Sequence, residues 1–206
     1  MSGRPLAGGG PRRLSQDDRR RQLIGIGLEL LATRPIHALS VDEVAARAGI
    51  SRGLLFHYFP TKQDYYAAVV RAAARRLLAA AQADPEVDAA GQLRSIVAAY
   101  VRFIDRHVEP YIGFSRAGAD PQIQVIYEEV RGVLTERALA ASDVPAGPVT
   151  RMTARAWWSL VESLAVDHAT EPLVPLDDLV DYAVRALPGL LATAPRWPGV
   201  TDPVRG

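Results

Sequence analysis

Apolar positions along the chain recur at helical spacing, and polar punctuation marks where each run starts and stops. Ser15 with Asp18 has the spacing of a capping box. Behind it Leu23, Ile24, Ile26, Leu28, Leu30 and Leu31 form an apolar face of period 3.6. Thr33-Arg34-Pro35 ends that helix, because a proline bars its predecessor from the α region. Ser40 with Glu43 opens a short helix from Val41 to Ala48, and Gly49 offers the positive φ of a tight turn. Ser51 caps a third helix to about Phe59, which Pro60 stops. Thr61 with Asp64 caps a long fourth helix through about Ala83, before Asp84-Pro85. Further helices are predicted at about 89–107, 110–117, 121–141, 148–170 and 176–192. Asp120-Pro121 and Gly147-Pro148 place a cap before a proline at the first helical position, and Pro188 should kink or end the last helix. No stretch alternates with the period of a strand. The expectation is an all-α fold: a flexible basic arm (1–14), a three-helix N-terminal unit (15–60), a helical bundle (61–194) and a tail (195–206).

The segment from Leu39 to Val70, LSVDEVAARAGISRGLLFHYFPTKQDYYAAVV, is the most informative. Two short helices joined by a glycine turn match the helix-turn-helix. Val41, Val44, Ala45, Ala48, Ile50, Leu54 and Leu55 are the expected small core between them, with Phe59 also inside. The third helix is too short to stand alone. Held from behind, it leaves an outer face of Arg52, Gly53, Phe56 and His57. The amino end of the second helix of such a pair meets base edges in the major groove. Arg52 can pair with guanine or phosphate, and Gly53 permits close approach. Phe56 can touch a thymine methyl, and His57 can donate or accept a hydrogen bond. Lys62, the only lysine in the chain, begins the fourth helix with Thr61. A helix amino terminus attracts phosphate, and Tyr58 adds a phenolic hydroxyl. The DNA-facing set is therefore Ser40, Ser51, Arg52, Gly53, Phe56, His57, Tyr58, Thr61 and Lys62.

Charge sharpens this picture. The net charge of the 206 residues is only +1, but residues 1–83 hold 13 Arg or Lys against 6 Asp or Glu, and residues 84–206 hold 11 against 17. A basic amino-terminal module suits a polyanion, and the acidic remainder does not. There are no cysteines, which excludes disulfides, thiolate metal sites and cysteine nucleophiles. No apolar run approaches the roughly 18 residues of a membrane span, and the amino-terminal stretch lacks the apolar core of a signal peptide. A cytoplasmic protein without a membrane partner is expected.

The same segment resembles the signature of the TetR family of transcriptional regulators. A Ser/Thr-capped helix is followed by VAARAGIS, a glycine, a leucine and a YF pair, then Pro-Thr-Lys and a long helix. Gly49, Ile50, Ser51, Gly53, Leu55, Tyr58, Phe59, Pro60 and Lys62 fall in register. Phe56 stands where a tyrosine is usual, and Tyr58 where a histidine is frequent. The resemblance is close over about residues 20–70 and architectural beyond. It implies a ligand-responsive repressor that binds a near-palindromic double-stranded DNA operator as a homodimer. It also implies an effector pocket in the carboxy-terminal bundle, where the aromatic residues Phe103, Tyr111, Phe114, Tyr127 and Trp158 are the expected lining. The last two long helices resemble the family's dimer-forming pair. Val161, Leu164, Ala165, His168, Leu179, Tyr182, Ala183 and Ala186 are the expected interface.

Catalysis is not expected. The four histidines (His37, His57, His107 and His168) are scattered, without paired i, i+4 ligands. Nucleophile-elbow, zinc-protease and phosphate-loop motifs are absent. No metal or cofactor is expected. Two other readings are compatible with the residues: a helical dimer that binds proteins and touches nucleic acid only non-specifically, and a small-molecule enzyme built on a helical bundle.

Overall fold

The structure is a computed structural model that describes residues 14–34, 38–82, 86–108, 120–142 and 144–193. Among these residues all regular structure is helical: α1 (Gln16–Leu31), α2 (Val41–Arg47), α3 (Arg52–Tyr58), α4 (Lys62–Ala80), α5 (Ala89–Arg106), α6 (Pro121–Ala141), α7 (Pro148–Thr170) and α8 (Leu176–Thr193). Residues 1–13 of the expected arm, the helix expected over 110–117 with Tyr111 and Phe114, and the tail lie outside the described residues.

The caps anticipated from sequence form as hydrogen bonds. Ser15 Oγ accepts from the Asp18 N–H at 3.1 Å, Ser40 Oγ from Glu43 at 3.4 Å and Ser51 Oγ from Leu54 at 3.2 Å. Thr61 and Asp64 make the full reciprocal box at 3.0 Å in each direction. Asp120 caps α6 through the Gln122 N–H at 2.8 Å, and the Gly147 N–H donates to Thr150 Oγ1 at 2.7 Å at the start of α7. Each satisfies amide groups that a helix terminus leaves unpaired. One boundary differs from expectation, and one proline does not end its helix. Helix α4 stops at Ala80, where the Arg137 guanidinium takes the carbonyls of Leu78 and Ala81 at 2.6 and 2.8 Å. Pro188 neither ends α8 nor sits at its margin: the helix continues to Thr193. The ring is exposed there, and the bond it forgoes belongs to the last turns of the helix.

Two cores organise these helices. The first joins α1, α2 and α3 to the amino-terminal half of α4, around Leu23, Leu30, Val44, Leu55, Phe59, Tyr65 and Val69. The second joins the carboxy-terminal end of α4 to α5 through α8, around Leu77, Ile96, Ile104, Leu134, Trp157 and Val180. Helix α4 therefore belongs to both. Leu54, expected in the first core, is instead 40% exposed. Leu55 and Phe59, one turn apart, share the inward stripe of α3, and Leu54 lies about 100° around the helix from Leu55.

Four residues expected at a dimer interface are buried in their own chain's core: Val161, Ala165, Leu179 and Ala183. Helices α7 and α8 pack on each other and on α5, and those small and branched residues face that contact. Leu164, His168 and Ala186 are half-buried and Tyr182 is exposed.

Candidate nucleic-acid interface and inner cavity

Gly49 sets the turn between α2 and α3 with φ +66°, a left-handed conformation that β-carbon-bearing residues adopt at a cost. The Ile50 N–H returns to the Ala45 carbonyl at 3.0 Å and closes the turn. With Leu55 and Phe59 anchored inside, α3 turns Arg52, Gly53 and His57 outward, all exposed. Arg52 rests against Asp42 at 3.1 Å and over the Phe56 ring at 5.4 Å. Both partners of that ion pair are more than half exposed, so it is worth no more than about 1 kcal/mol and leaves the guanidinium available. Phe56 and Tyr58 are half-buried and lean on the first core. Phe56, placed on the outer face by the sequence pattern, is thus also partly structural. Tyr58 meets His57 edge to face, with ring centroids 5.6 Å apart.

Ser40 and Ser51 act as caps. Thr61 caps α4, and Lys62 lies at its start, exposed, with its ammonium 5.0 Å above the Tyr66 ring. The Thr61 hydroxyl first, then the Gln122 side chain and the Thr61 amide, hold the Asp64 carboxyl below its ordinary value. Glu43 carries both Arg34 and Arg47 at 2.9 Å.

The clamp behind this face has no counterpart among the sequence expectations. Tyr65 is fully buried, and its hydroxyl donates to the Leu23 carbonyl at 2.9 Å. Burial pushes that hydroxyl above the usual tyrosine range. Tyr66 donates likewise to the Leu39 carbonyl. At Gly27 the two helices nearly touch: a β-carbon there would lie 2.4 Å from Val69 Cγ2 and 2.5 Å from Tyr65 Oη. The helical pattern of α4 gives no sign that its two adjacent tyrosines reach back to α1 and to the loop before α2.

Further along α4 lies a cavity of about 380 Å³. It is walled by Val70, Leu77 and Ala80 of α4, Tyr100, Phe103, Ile104 and His107 of α5 and its cap, Ile126, Tyr127, Arg131 and Leu134 of α6, and Trp158 and Glu162 of α7. Leu28, Leu31 and Ala32 close it from the α1 side. Of the expected lining residues, Phe103, Tyr127 and Trp158 meet there, and Tyr111 and Phe114 lie outside the described residues. The Tyr127 hydroxyl donates to Glu162. His107 Nδ1–H donates to the Phe103 carbonyl at 2.7 Å, and the two rings stack at 4.6 Å. A mostly apolar wall with a few convergent polar groups is the usual make-up of a small-molecule site. No group of three potential metal ligands occurs among the described residues, and no helix among them is long and apolar enough to cross a membrane.

Known proteins resemble this chain in sequence and fold. Residues 23–69 match the family model for bacterial regulatory proteins, tetR family. The HTH-type transcriptional activator FasR of Mycolicibacterium smegmatis is 34% identical over 109 residues, which are 51% of this chain and 50% of FasR. The chain therefore spans about half the length of that relative. A tetR-family transcriptional regulator from Streptomyces coelicolor superposes with a TM-score of 0.79 at 29% identity, covering 88% of this chain and 83% of that one. The multidrug binding protein EbrR, crystallised in complex with proflavin, gives a TM-score of 0.60 at 25% identity over 84% of this chain and 99% of its own.

Proposed function

We propose that the chain is a TetR-family DNA-binding transcriptional regulator, and that it is a repressor that a small-molecule effector releases from a near-palindromic operator. The observation that carries this reading is the bare outer face of α3, flanked by the amino terminus of α4. Arg52 and His57 reach for base edges, and Lys62 with the α4 amide groups takes a phosphate. Gly53 supports close approach. An added β-carbon there would meet only Ser51 Oγ, at 4.0 Å, so the fold itself has no need of a glycine.

The chain works as a cytoplasmic homodimer that presents two α3 helices to successive major grooves about 34–36 Å apart. Leu164, His168, Tyr182 and Ala186, on the parts of α7 and α8 left uncovered, carry the interface. The cavity is the effector site; EbrR, a structural neighbour, was crystallised in complex with the small molecule proflavin. Its wall includes α1 and α4, both parts of the DNA-reading module, so a ligand that fits one arrangement of these helices better than another shifts operator affinity by that difference.

The test is footprinting and titration of the flanking promoter DNA. The wild-type protein should protect a discrete near-palindrome. Lys62→Ala should weaken binding and lower the slope of log K against log salt by about 0.9 for each phosphate that is no longer neutralised. Arg52→Ala should also weaken binding and relax the choice of base at its position. A double Arg52→Ala/Lys62→Ala variant that still binds the same operator tightly refutes the contact assignment. Transcription in vitro fixes the sign: increased output on adding the protein makes it an activator that uses the same surface.

A further inference from the structure

Two hollows meet along α4. One is the inner cavity. The other is a groove of about 360 Å³ between α1 and α4, with Arg21, Ile24, Gly25 and Leu28 on its α1 side and Arg75 and Arg76 on its α4 side. Positions three and four apart share one helix face, so the groove runs along a single stripe of α1. On α4 the cavity takes the neighbouring stripe, which includes Val70, Ala73 and Leu77. Leu28 and Arg76 line both hollows, which therefore adjoin at these two side chains.

The charges at that junction are of one sign. Among the described residues the groove is lined by three arginines and no acid. Arg21 is paired with Asp18 at 2.6 Å. Arg75 and Arg76 are exposed and make no ion pair or hydrogen bond among the described residues. The same holds for Arg106, which reaches the cavity from the last turn of α5. The arginines of α6 are placed differently: Arg131 donates to the Arg155 carbonyl at 3.2 Å, and Arg137 to the carbonyls of Leu78 and Ala81. Glu162, the one acid on the cavity wall among the described residues, accepts from the Tyr127 hydroxyl.

Neighbouring cations without counter-ions repel one another and draw an anion. Beside them the cavity wall is apolar, with Leu77, Ile104, Leu134 and the ring of Phe103. A hollow of that make-up favours a molecule with an apolar body. An anionic group carried deep inside would lose its water without gaining a free cation. At Arg76 the same group keeps water on its exposed side and gains a guanidinium that no carboxylate of the described chain occupies. An ammonium at that point would meet repulsion from Arg75, Arg76 and Arg106.

We infer that the cavity takes an amphiphilic organic anion, whose apolar body fills the cavity and whose carboxylate-sized anionic group lies on Arg76 where cavity and groove meet. This rests on the reading of the cavity as the effector site and specifies its ligand. The test is calorimetric titration of the full-length protein with three chain-matched probes below their micellar concentrations: decanoate, 1-decanol and decylammonium. Decanoate should bind at one site per chain, roughly tenfold more tightly than decanol. That factor is the low end for a hydrogen bond to a charged group, because Arg76 is exposed. Decylammonium should bind more weakly than decanol, and the preference for decanoate should shrink as salt rises. In Arg76→Gln that preference should fall to about one while decanol affinity is kept. Arg71→Gln removes an exposed arginine of α4 that lines neither hollow, and it should leave the preference in place. The inference is overturned by equal or tighter binding of decanol or decylammonium, or by saturable binding of none of the three. A preference that survives Arg76→Gln, or that falls equally in Arg71→Gln, also overturns it. Operator affinity measured on the same samples separates the two readings. Decanoate bound through Arg76 with the operator still held removes the effector role and keeps the ligand class. Operator release by decanol in preference to decanoate keeps the effector role and overturns the ligand class.

Discussion

Adding one methyl group to α1 should have opposite effects at two glycines that lie two residues apart. At Gly25 a β-carbon would find nothing within 4 Å. Gly25→Ala should therefore gain helix propensity and restrict the unfolded chain, stabilising by about 1 kcal/mol. At Gly27 the same carbon would overlap Val69 Cγ2 at 2.4 Å and Tyr65 Oη at 2.5 Å. Ordinary contact near 3.5 Å requires the helices to part by about 1 Å. Neither neighbour is a flexible tip, since Val69 and Tyr65 are both fully buried and the Tyr65 hydroxyl is tied to the Leu23 carbonyl. Overpacking a tight core costs about 1–3 kcal/mol, and breaking the tyrosine bond costs about 1 more. Against the same propensity gain of about 1 kcal/mol, Gly27→Ala should be destabilising by roughly 1–3 kcal/mol. For a chain of this size 1 kcal/mol moves Tm by about 2–4 °C. Thermal and urea unfolding of both variants at one protein concentration should place Gly25→Ala above the wild type and Gly27→Ala below it. A Gly27→Ala protein as stable as Gly25→Ala would refute the claim that α1 and α4 are locked at that point.

Two other outcomes follow from single side chains. Trp157 is fully buried and donates to the Ala183 carbonyl across α7 and α8, so Trp157→Phe should lower stability by about 1–3 kcal/mol, read by urea unfolding; an unchanged midpoint would show that the indole bond contributes nothing. The Asp64 carboxyl is held below its ordinary value of 3.8 first by the Thr61 hydroxyl, so its stabilising contribution is complete above that pH and is lost as pH falls through the folded value. Asp64→Asn should therefore flatten the acid limb of the stability profile below pH 3.8, and an acid limb identical to the wild type would contradict the box geometry.

Sequence alone determined the features whose cause is local. Ser15, Ser40, Ser51, Thr61 and Asp120 cap helices because a side-chain oxygen two or three residues before an amide can always reach it. Gly49 makes its turn because no neighbour needs to be known to assign a positive φ. The order of the helices and the outward face of α3 came from the same short-range pattern. What the tertiary structure decided was which face meets which neighbour. A helix with apolar residues on two sides does not declare whether a given side packs within the chain or against a second copy. That is why Val161, Ala165, Leu179 and Ala183 read as an interface and turned out to be core. The anchoring of α1 by Tyr65 and the cavity shared by five helices each join residues far apart in the chain. Their geometry follows from how the helices cross, which the order of residues within any one helix does not encode.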